Sequence, residues 1–360
     1  MTHTHFLLQA LDLAKIQRGF CSPNPSVGAV IVDPQGKVLA TGYHTGPGHA
    51  HAEVDALKKL NGKANGATIY ITLEPCCHWG RTPPCTDAII KSGIKHVIYA
   101  FTDPNPIVSG KSKALLAAEN ISCEHFPVQE IAAFYESYKH WHINKTPFVT
   151  AKIALTLDGK IAGEKGEPIS ITGPELKEFT YESRKRADAI LTTVKTIISD
   201  DPQMNVRGAE TIAKPVYILD RELKLPLHAK IFETAKSITL FYAKDASEHQ
   251  LKPLLEKNVR CIAMNTEHNR FNFASIIEQI GKDGVHDLWV EAGGECFSEF
   301  VKQKLLQKIL IYIAPRSLGL GLNAFKENLF AELTSVKVSW HQMGNDVMCQ
   351  MFYDVALPPI

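Results

Sequence analysis

Apolar residues recur along the chain in two patterns, short β-branched runs and longer stretches with helical spacing. In the first part of the chain, the runs predict strands at 27–32, 37–42, 68–73 and 97–101. The helical spacing predicts helices at 6–17, 52–60, 85–92 and 129–144. Pro34-Gln35-Gly36 predicts a turn between the first two strands. Strands and helices that alternate in this way predict a layered α/β domain.

A second series of apolar runs begins after Asn144-Lys145-Thr146-Pro147, which ends the long helix. We therefore predict two domains, 1–146 and 147–360. Strands of the second domain are predicted at 148–155, 189–192, 215–219, 237–242, 287–291 and 308–313, and helices at 174–186, 273–281 and 295–304. Thr172 is the predicted N-cap of the first of these helices. The order again predicts an α/β fold.

Composition and charge limit the classes of partner that the protein is expected to bind. Hydrophobic residues make up 45% of the 360 and charged residues 21%, as in ordinary globular proteins. A net charge of +1 gives no general attraction to nucleic acid or to an anionic membrane. The chain has no signal-peptide pattern and no apolar run long enough to span a membrane. We expect no nucleic-acid or membrane partner.

Three of the eight cysteines gather between 76 and 85, and the other five are scattered singly. This pattern indicates a metal or reactive site in a reducing compartment rather than a disulfide scaffold, and we infer a cytoplasmic protein. His51-Ala52-Glu53 lies upstream, at the start of a predicted helix. One His and two Cys supply three zinc ligands and leave a position for water, which a Glu two residues after the His could deprotonate. On chemistry alone, Cys77 rivals Cys76 as a ligand, and a purely structural zinc site is an alternative.

These motifs carry a family resemblance. His51-Ala52-Glu53-Val54, Thr72-Leu73-Glu74-Pro75-Cys76 and 80–85 (Gly-Arg-Thr-Pro-Pro-Cys) together resemble the bifunctional riboflavin-biosynthesis deaminase/reductase family. In that family the long gap between the two cysteines is normal. The resemblance implies an N-terminal cytidine-deaminase-like three-layer α/β/α domain. It also implies zinc bound by His51, Cys76 and Cys85, with Glu53 as the proton shuttle and Cys77 as a bystander.

Further residues match the substrate pocket of this family. Asn24 stands in a loop whose Asn bonds the base, and the resemblance places Asp103 and Asn105, in an Asp-Pro-Asn-Pro turn, near the base or sugar. His44, His78 and Arg81 are expected to line the mouth and to meet the phosphate. Taken singly, each of these is equally compatible with a turn or surface residue.

The second half resembles the reductase domain of the same family, whose fold is similar to dihydrofolate reductase. The segments that carry the likeness are 152–162, 171–175, 200–202 and 288–295. The Gly293-Gly294 turn after a strand could hold a pyrophosphate, although it is not the six-residue fingerprint of a standard Rossmann domain. The resemblance implies NADPH as the cofactor, lined by Ala154, Ser170, Thr196, Asp200, Gly293 and Gly294. It implies a substrate site formed by Pro168, Arg184, Met204, Arg207 and Glu291, with the two arginines on the phosphate.

The chain departs from the family at several of these positions. Ser170 stands where many members have a tryptophan, Pro168 where some have a polar substrate contact, and Asn205 where a threonine is common. Val194-Lys195-Thr196 replaces a small, glycine-containing turn. These departures affect the expected NADPH contacts more than the phosphate-binding arginines.

The sequence thus predicts a two-step enzyme that acts on a small phosphorylated pyrimidine. It would deaminate 2,5-diamino-6-(5-phosphoribosylamino)pyrimidin-4-one and then reduce the ribosyl group to ribityl with NADPH. Two alternatives are a deaminase of nucleic-acid bases, which near-zero charge disfavours, and a zinc deaminase with a non-catalytic C-terminal binding module. The resemblance is compatible with a homo-oligomer.

Overall fold

The computed structural model describes residues 2–208, 210–325, 328–330 and 336–353. The chain divides into two compact units, Met1–Thr146 and Pro147–Ile360. The outermost residues of the two predicted domains, Met1 and Ile360, lie outside the described residues. Within the described residues, no helix is both long enough and apolar enough to cross a membrane.

The N-terminal unit alternates strands and helices, as predicted. In chain order its elements are α1 (His3–Ile16), β1 (Gly28–Val32), β2 (Val38–Tyr43), α2 (Ala52–Lys58), β3 (Thr68–Ile71), α3 (Cys85–Ser92), β4 (His96–Tyr99), α4 (Lys111–Ala118), β5 (Ser122–His125), α5 (Gln129–Phe134) and α6 (Glu136–Asn144). The strands form one sheet in the order β2-β1-β3-β4-β5. β1 is antiparallel to β2 and β3, whereas β3, β4 and β5 run parallel.

Both faces of this sheet are apolar because helices cover both. Ile31, Ile69 and Val97 point to one face and pack with α2, α3 and α4. Val30 and Tyr70, next to two of these in sequence, point to the other face and pack with α1, α5 and α6. The predicted three-layer α/β/α arrangement is therefore confirmed.

The C-terminal unit is built on a nine-stranded sheet. Its elements are β6 (Phe148–Thr156), β7 (Lys160–Ala162), α7 (Pro174–Arg186), β8 (Ala189–Thr193), α8 (Val194–Asp200), β9 (Pro215–Leu219), α9 (Ile231–Thr234), β10 (Ser237–Ala243), α10 (Leu251–Glu256), β11 (Arg260–Met264), β12 (Thr266–Glu267), β13 (Arg270–Phe271), α11 (Phe273–Lys282), β14 (Asp287–Glu291), α12 (Gly294–Lys302), β15 (Lys308–Ala314), β16 (Leu322–Asn323), β17 (Val336–Met343) and β18 (Asp346–Tyr353). The sheet order is β11-β10-β9-β8-β14-β6-β15-β18-β17.

Seven strands of this sheet run parallel, and the β17–β18 hairpin adds two antiparallel strands at one edge. One apolar core lies between the sheet and α11 and α12, and the other lies between the sheet and α7, α8, α9 and α10. The α/β class predicted for this half is confirmed. Because β6, β8 and β14 are parallel neighbours, their carboxyl ends meet at one edge of the sheet, where ligands bind in such folds.

Some local predictions were wrong. The helix predicted at 129–144 is two helices that meet at Tyr135, a fully buried residue whose hydroxyl bonds the Ser26 carbonyl (2.8 Å) and the Thr72 hydroxyl (2.6 Å). The N-cap of α7 is Gly173, not Thr172, and the Gly173 N–H donates to Asp346 Oδ2 (2.6 Å). The segment at 194–196, which replaces a glycine-containing turn of the family, begins helix α8.

Gly42 on β2 lets the sheet approach α2 unusually closely. A Cβ atom at Gly42 would lie 2.2 Å from the carbonyl oxygen of Ala52 and 2.5 Å from the nitrogen of Ala56. Since real side chains cannot come so near to backbone atoms, only glycine allows α2 to lie where it does. The first turn of α2 carries Glu53, so this contact sets the position of that carboxylate.

Candidate active sites

Three predicted metal ligands converge in the N-terminal unit. His51 precedes α2, Cys76 follows β3, and Cys85 begins α3. Their ligand atoms all lie within 4.8 Å of one another. His51 Nδ1 is 3.1 Å from Cys85 Sγ and 3.5 Å from Cys76 Sγ, so this nitrogen faces both sulfurs. Among the described residues, this is the one group of three or more such side chains close enough to share an ion.

The donor set suits zinc. One imidazole nitrogen and two thiols are ligands that zinc prefers, and three protein ligands leave a coordination position free for chemistry. The Cys85 thiol donates to Cys76 and, against the effect of burial, lowers the pKa of Cys76. The structure brings Cys76 and not its neighbour Cys77 into the cluster.

Glu53 lies beside this cluster in the first turn of α2. Only 3% of the residue is exposed, and burial raises the pKa of its carboxyl group. A buried carboxyl beside a metal site can hold a proton and pass it to a bound substrate. This environment suits the expected proton shuttle.

The second ring nitrogen of His51 also has a partner. Its Nε2 lies 3.3 Å from Thr82 Oγ1, in the segment between the two cysteines. A hydroxyl that accepts from Nε2–H leaves the lone pair on Nδ1, the nitrogen that faces the sulfurs. The long segment between Cys76 and Cys85 thus supplies the group that orients the imidazole.

Asn24 and His44 lie together. Asn24 Nδ2 is 3.0 Å from His44 Nε2, and His44 Nδ1 is 3.0 Å from the Ala50 carbonyl. The His44 ring meets the His51 ring edge to face, with centroids 5.1 Å apart. Burial lowers the pKa of His44, and the residue is 2% exposed. The sequence led us to expect His44 at the mouth, but the structure places its imidazole in a buried position against the ring of the metal ligand His51.

Asp103 and Asn105 shape the loop after β4. Asp103 Oδ1 accepts from the Asn105 N–H (2.9 Å) and from the Tyr138 hydroxyl (3.3 Å), and Asn105 Oδ1 accepts from the Ile107 N–H (3.1 Å). Burial raises the pKa of Asp103 to about 6. The two side chains therefore support their own turn, which is ordinary chemistry for Asp and Asn.

His78 and Arg81 lie in the segment between the cysteines. Arg81 is exposed, and so is Trp79, at 73%. Within the described part of the chain, the buried Nδ1 atom of His78 has no hydrogen-bond partner. A buried polar atom without a partner is costly, and a bound ligand is one way to satisfy it.

A charged cluster marks the C-terminal unit. Arg184 on α7 is 7% exposed and holds Glu291, at the end of β14, through two contacts of 2.6 and 3.0 Å. The Trp289 indole N–H donates to Glu291 (2.7 Å), and Lys152 Nζ lies 3.7 Å from it. Burial opposes ionisation of Glu291, but the charges of Arg184 and Lys152 outweigh it and lower its pKa to about 2. Glu291 is therefore a carboxylate near neutral pH.

The other predicted substrate residues lie around Arg184. Its Nη1 donates to the Asn205 carbonyl (2.8 Å), and its Nη2 lies 3.8 Å from Met204 Sδ. Arg207 is exposed above the Tyr181 ring, 5.2 Å from the centroid. The side-chain Oδ1 of buried Asn205 has no partner among the described residues. Most N–H groups of Arg184 are thus engaged within the protein, whereas Arg207 is open to a ligand.

Gly293 and Gly294 differ in their surroundings. Gly293 precedes α12 as its N-cap, and a Cβ there would meet no atom within 4 Å. A Cβ on Gly294 would lie 1.9 Å from the Ala324 carbonyl oxygen. Space for a ligand therefore exists at Gly293, where the backbone N–H groups at the start of a helix suit a phosphate. Gly294 is required by packing.

The remaining predicted cofactor residues lie near the same sheet edge or in loops. Ala154 is in β6, and the Thr196 N–H bonds the Thr193 hydroxyl that caps α8 (3.2 Å). Asp200 ends α8 and is exposed, as are Ser170 and Pro168, the latter a predicted substrate residue. The Arg316 guanidinium donates to the carbonyls of Ser170 and Ile171 and holds that segment. Lys195, one of the departures, pairs with Glu295 (3.4 Å) and so links the starts of α8 and α12.

Sequence reasoning missed Lys152 and Trp289 as members of the Glu291 cluster. Lys152 interrupts an otherwise apolar buried strand, and a lysine in such a position is rare unless it has a partner. That interruption was the available signal. The register that pairs Lys152 with Glu291 across β6 and β14 was not readable from the sequence.

Two family models match the chain. Residues 1–101 match the cytidine and deoxycytidylate deaminase zinc-binding region, and residues 147–349 match the RibD C-terminal domain.

Individual relatives match over nearly the whole length. The riboflavin biosynthesis protein RibD of Aquifex aeolicus is 40% identical over 343 residues, which cover 95% of each chain. That of Escherichia coli K12 is 31% identical over 334 residues, or 89% of each. The solved structure of Acinetobacter baumannii RibD, form 1, superposes with a TM-score of 0.85 at 31% identity and covers 97% of this chain and 98% of that one. A Thermotoga maritima structure, titled a diaminohydroxyphosphoribosylaminopyrimidine deaminase and 5-amino-6-(5-phosphoribosylamino)uracil reductase, has a TM-score of 0.84 at 30% identity and covers 98% of each chain.

Proposed function

Because the chain belongs to the RibD family of riboflavin-biosynthesis proteins, we propose that its N-terminal unit carries the deaminase site and its C-terminal unit the reductase site. The chain is a bifunctional enzyme with a zinc-dependent deaminase and an NADPH-dependent reductase. Its substrate is a small pyrimidine, which we propose is the phosphoribosylamino diaminopyrimidine named above. The match of 147–349 to the family counts against a non-catalytic C-terminal module.

His51, Cys76 and Cys85 would hold the zinc ion. When bound, zinc acts as a Lewis acid and makes water a stronger nucleophile near neutral pH. Glu53 would take the proton from the attacking water and deliver protons to the ring nitrogen and the departing amine. The single observation that carries this assignment is the convergence of the three ligand atoms within 4.8 Å, beside a carboxyl that is 3% exposed.

Asn24 and His44 would contact the pyrimidine, since His44 meets the metal ligand His51 and Asn24 bonds His44. Burial lowers the pKa of His44, which favours the neutral imidazole, and this form suits hydrogen bonding with a base more than binding phosphate. His78 and Arg81 would serve the phosphate end, where the unpartnered Nδ1 of His78 gains an acceptor or donor. Asp103 and Asn105 would contact the sugar or base from their rigid turn.

In the C-terminal unit, NADPH supplies a hydride to the first carbon of the ribosyl group when it is bound. The protein aligns the reactants. Gly293 would admit the pyrophosphate at the start of α12, and Gly294, Ala154, Ser170, Thr196 and Asp200 would line the rest of the cofactor site.

Glu291 would stay ionised and face the sugar, fixed by Arg184, Trp289 and Lys152. Arg207 would bind the substrate phosphate. Arg184 would add those of its N–H groups that are not bonded to Glu291 or Asn205. Pro168 and Met204 would complete the substrate site. We also propose a cytoplasmic location, which the eight free thiols support, and a homo-oligomeric state that light scattering would check.

The test uses the whole chain loaded with zinc. The purified protein should release ammonia from the pyrimidine substrate and then consume NADPH. After removal of zinc with a chelator, ammonia release should stop, whereas NADPH consumption with the deaminated substrate should continue. An absence of ammonia release from zinc-loaded protein would refute the deaminase assignment. Loss of both activities on chelation would refute the division between the units.

A further inference from the structure

One buried glutamate lies close in sequence to a proposed zinc ligand and is not among the residues proposed to act in either reaction. Glu74 stands two residues before Cys76 and is 3% exposed. It is not part of the group of potential metal ligands. Its carboxylate is occupied by contacts to a different segment of the chain, which makes it unavailable to a substrate.

The carboxylate accepts three hydrogen bonds. Oε1 accepts from the hydroxyl of Ser112 (2.6 Å), a fully buried residue in the first turn of α4. Oε2 accepts from the backbone N–H groups of Gly110 (3.1 Å) and Asp103 (3.4 Å). The Glu74 N–H donates in turn to the Phe101 carbonyl (2.8 Å). One side chain therefore contacts both ends of the loop 103–110.

This loop carries Asp103 and Asn105, the two residues proposed to contact the sugar or base. Inside the loop, their side chains bond backbone N–H groups two residues further on. These bonds shape the turn but do not attach it to the metal-binding segment. The attachment is made by Glu74, which is covalently part of that segment.

We propose that Glu74 is a positioning residue that fixes the substrate-binding loop 103–110 relative to the zinc ligand Cys76. The proposal rests on the proposed deaminase function, because that function is what makes the loop 103–110 a substrate-binding loop. Two backbone N–H groups and a hydroxyl would lose their acceptor without the carboxylate, and buried donors without acceptors are unfavourable. The loop would then leave its place, although the zinc ligands would remain.

A loss of positioning predicts a particular kinetic pattern. Displacement of a substrate contact by about 1 Å can cost about 100-fold in rate or binding. We expect Glu74→Ala to raise KM for the pyrimidine substrate by at least about ten-fold, with a smaller change in kcat. Zinc content should stay at the wild-type value. The reductase activity of the same chain, whose site lies in the other unit, is the internal control.

Glu74→Gln should restore most of the wild-type KM. The amide oxygen can accept from both backbone N–H groups, and its NH₂ group can donate to Ser112 Oγ, because a hydroxyl can also accept. Ser112→Ala removes one contact of the three and should raise KM less than Glu74→Ala does. Glu119→Gln, at the exposed C-cap of α4, is the matched control and should leave KM unchanged.

Hydrogen exchange gives a readout that does not depend on activity. In Glu74→Ala the amides of Asp103 and Gly110 should exchange faster, while those of β3 keep the wild-type rate. If these amides and KM both stay at wild-type values, the proposal is overturned. If Glu74→Ala loses zinc or does not fold, Ser112→Ala decides, and an unchanged KM in that variant also overturns the proposal. Absence of ammonia release from the wild type would instead refute the proposed function. The hydrogen-exchange result would then still test whether Glu74 fixes the loop 103–110.

Discussion

Arg184 and Glu291 form a buried two-point ion pair in which Nε lies 2.6 Å from Oε1 and Nη2 lies 3.0 Å from Oε2. Such a pair ties α7 to the end of β14, next to the sheet edge where NADPH and the sugar are proposed to meet. The geometry explains why a carboxylate can persist there despite burial.

Glu291→Gln should therefore affect both stability and chemistry. It leaves Arg184 buried with an uncompensated charge, which typically costs about 3–5 kcal/mol. We expect a loss of that order in the free energy of unfolding of the C-terminal unit, measured with urea, together with loss of NADPH consumption. Ammonia release should persist. Glu295→Gln, which breaks the exposed pair with Lys195, should leave unfolding unchanged, and equal behaviour of the two variants would contradict the prediction.

Glu53→Gln should abolish proton transfer while it preserves the shape of the site. General acid–base catalysis typically contributes about 100-fold to 10,000-fold in rate, so kcat for ammonia release should fall by at least about 100-fold. Zinc content and NADPH consumption with the deaminated substrate should not change. Glu130→Gln on α5 changes an exposed glutamate of the same unit and serves as the control. Full deaminase activity in Glu53→Gln would exclude this residue as the shuttle.

Thr82→Val should weaken zinc binding, because it removes the hydroxyl 3.3 Å from His51 Nε2 at nearly constant volume. Partners that orient a metal-binding imidazole typically contribute about 10-fold to 100-fold in metal affinity. Competition with a chromogenic chelator measures this loss directly, and Thr82→Ser should recover most of the affinity. Thr68→Val, at the start of β3, is the control. Unaltered affinity in Thr82→Val would show that the contact does not orient the ligand.

Gly293→Ala and Gly294→Ala separate cofactor binding from packing. At Gly294 the added methyl group would overlap the Ala324 carbonyl oxygen, so the C-terminal unit should lose thermal stability. At Gly293 nothing lies within 4 Å, so stability should be kept, whereas KM for NADPH should rise because the methyl group occupies the space proposed for the pyrophosphate. Thermal unfolding and NADPH titration measure the two effects. An unchanged KM for NADPH in Gly293→Ala would place the pyrophosphate elsewhere.

Asp103 should give the N-terminal unit a specific pH dependence. Burial raises its pKa to about 6, above the ordinary value of 3.8, so the folded unit binds this proton more tightly than the unfolded chain does. The stabilisation is fully present below about pH 4 and is lost as the pH rises through about 6, with a total of about 3 kcal/mol at most. Asp103→Asn should remove this part of the slope. Urea unfolding of the zinc-free protein from pH 4 to pH 7 compares the two, and parallel curves would contradict the assignment.

The sequence patterns predicted the layered folds because alternation and helical spacing are local properties. β1, β2 and β3 were found this way, as was the helix that begins at Cys85. The β17–β18 hairpin was missed even though apolar and polar residues alternate over 336–341, and its second strand, β18, shows no such alternation. The break at Tyr135 was missed because the helical spacing continues through it, and the contacts of its hydroxyl with Ser26 and Thr72 join residues that are distant in sequence.

The metal ligands could be proposed from residue type, since few other functions need a His, a Glu and two Cys in this order. Contacts between segments that are distant in sequence could not be predicted from residue type. The Thr82 bond to His51 and the Glu74 bonds to the loop 103–110 depend on how the chain returns to the metal site. The burial of His44 is likewise a property of the packed unit and not of its sequence neighbours.

The close approach at Gly42 has a consequence for engineering the deaminase. Gly42 is not among the residues proposed to bind metal or substrate. It nevertheless sets the position of Glu53, because α2, which carries Glu53, packs directly against β2 at this glycine. Variant libraries limited to the residues proposed to contact metal or substrate would leave this contact between β2 and α2 unchanged. A methyl group at Gly42 would push α2 away from β2, and with it the carboxylate that we propose as the proton shuttle.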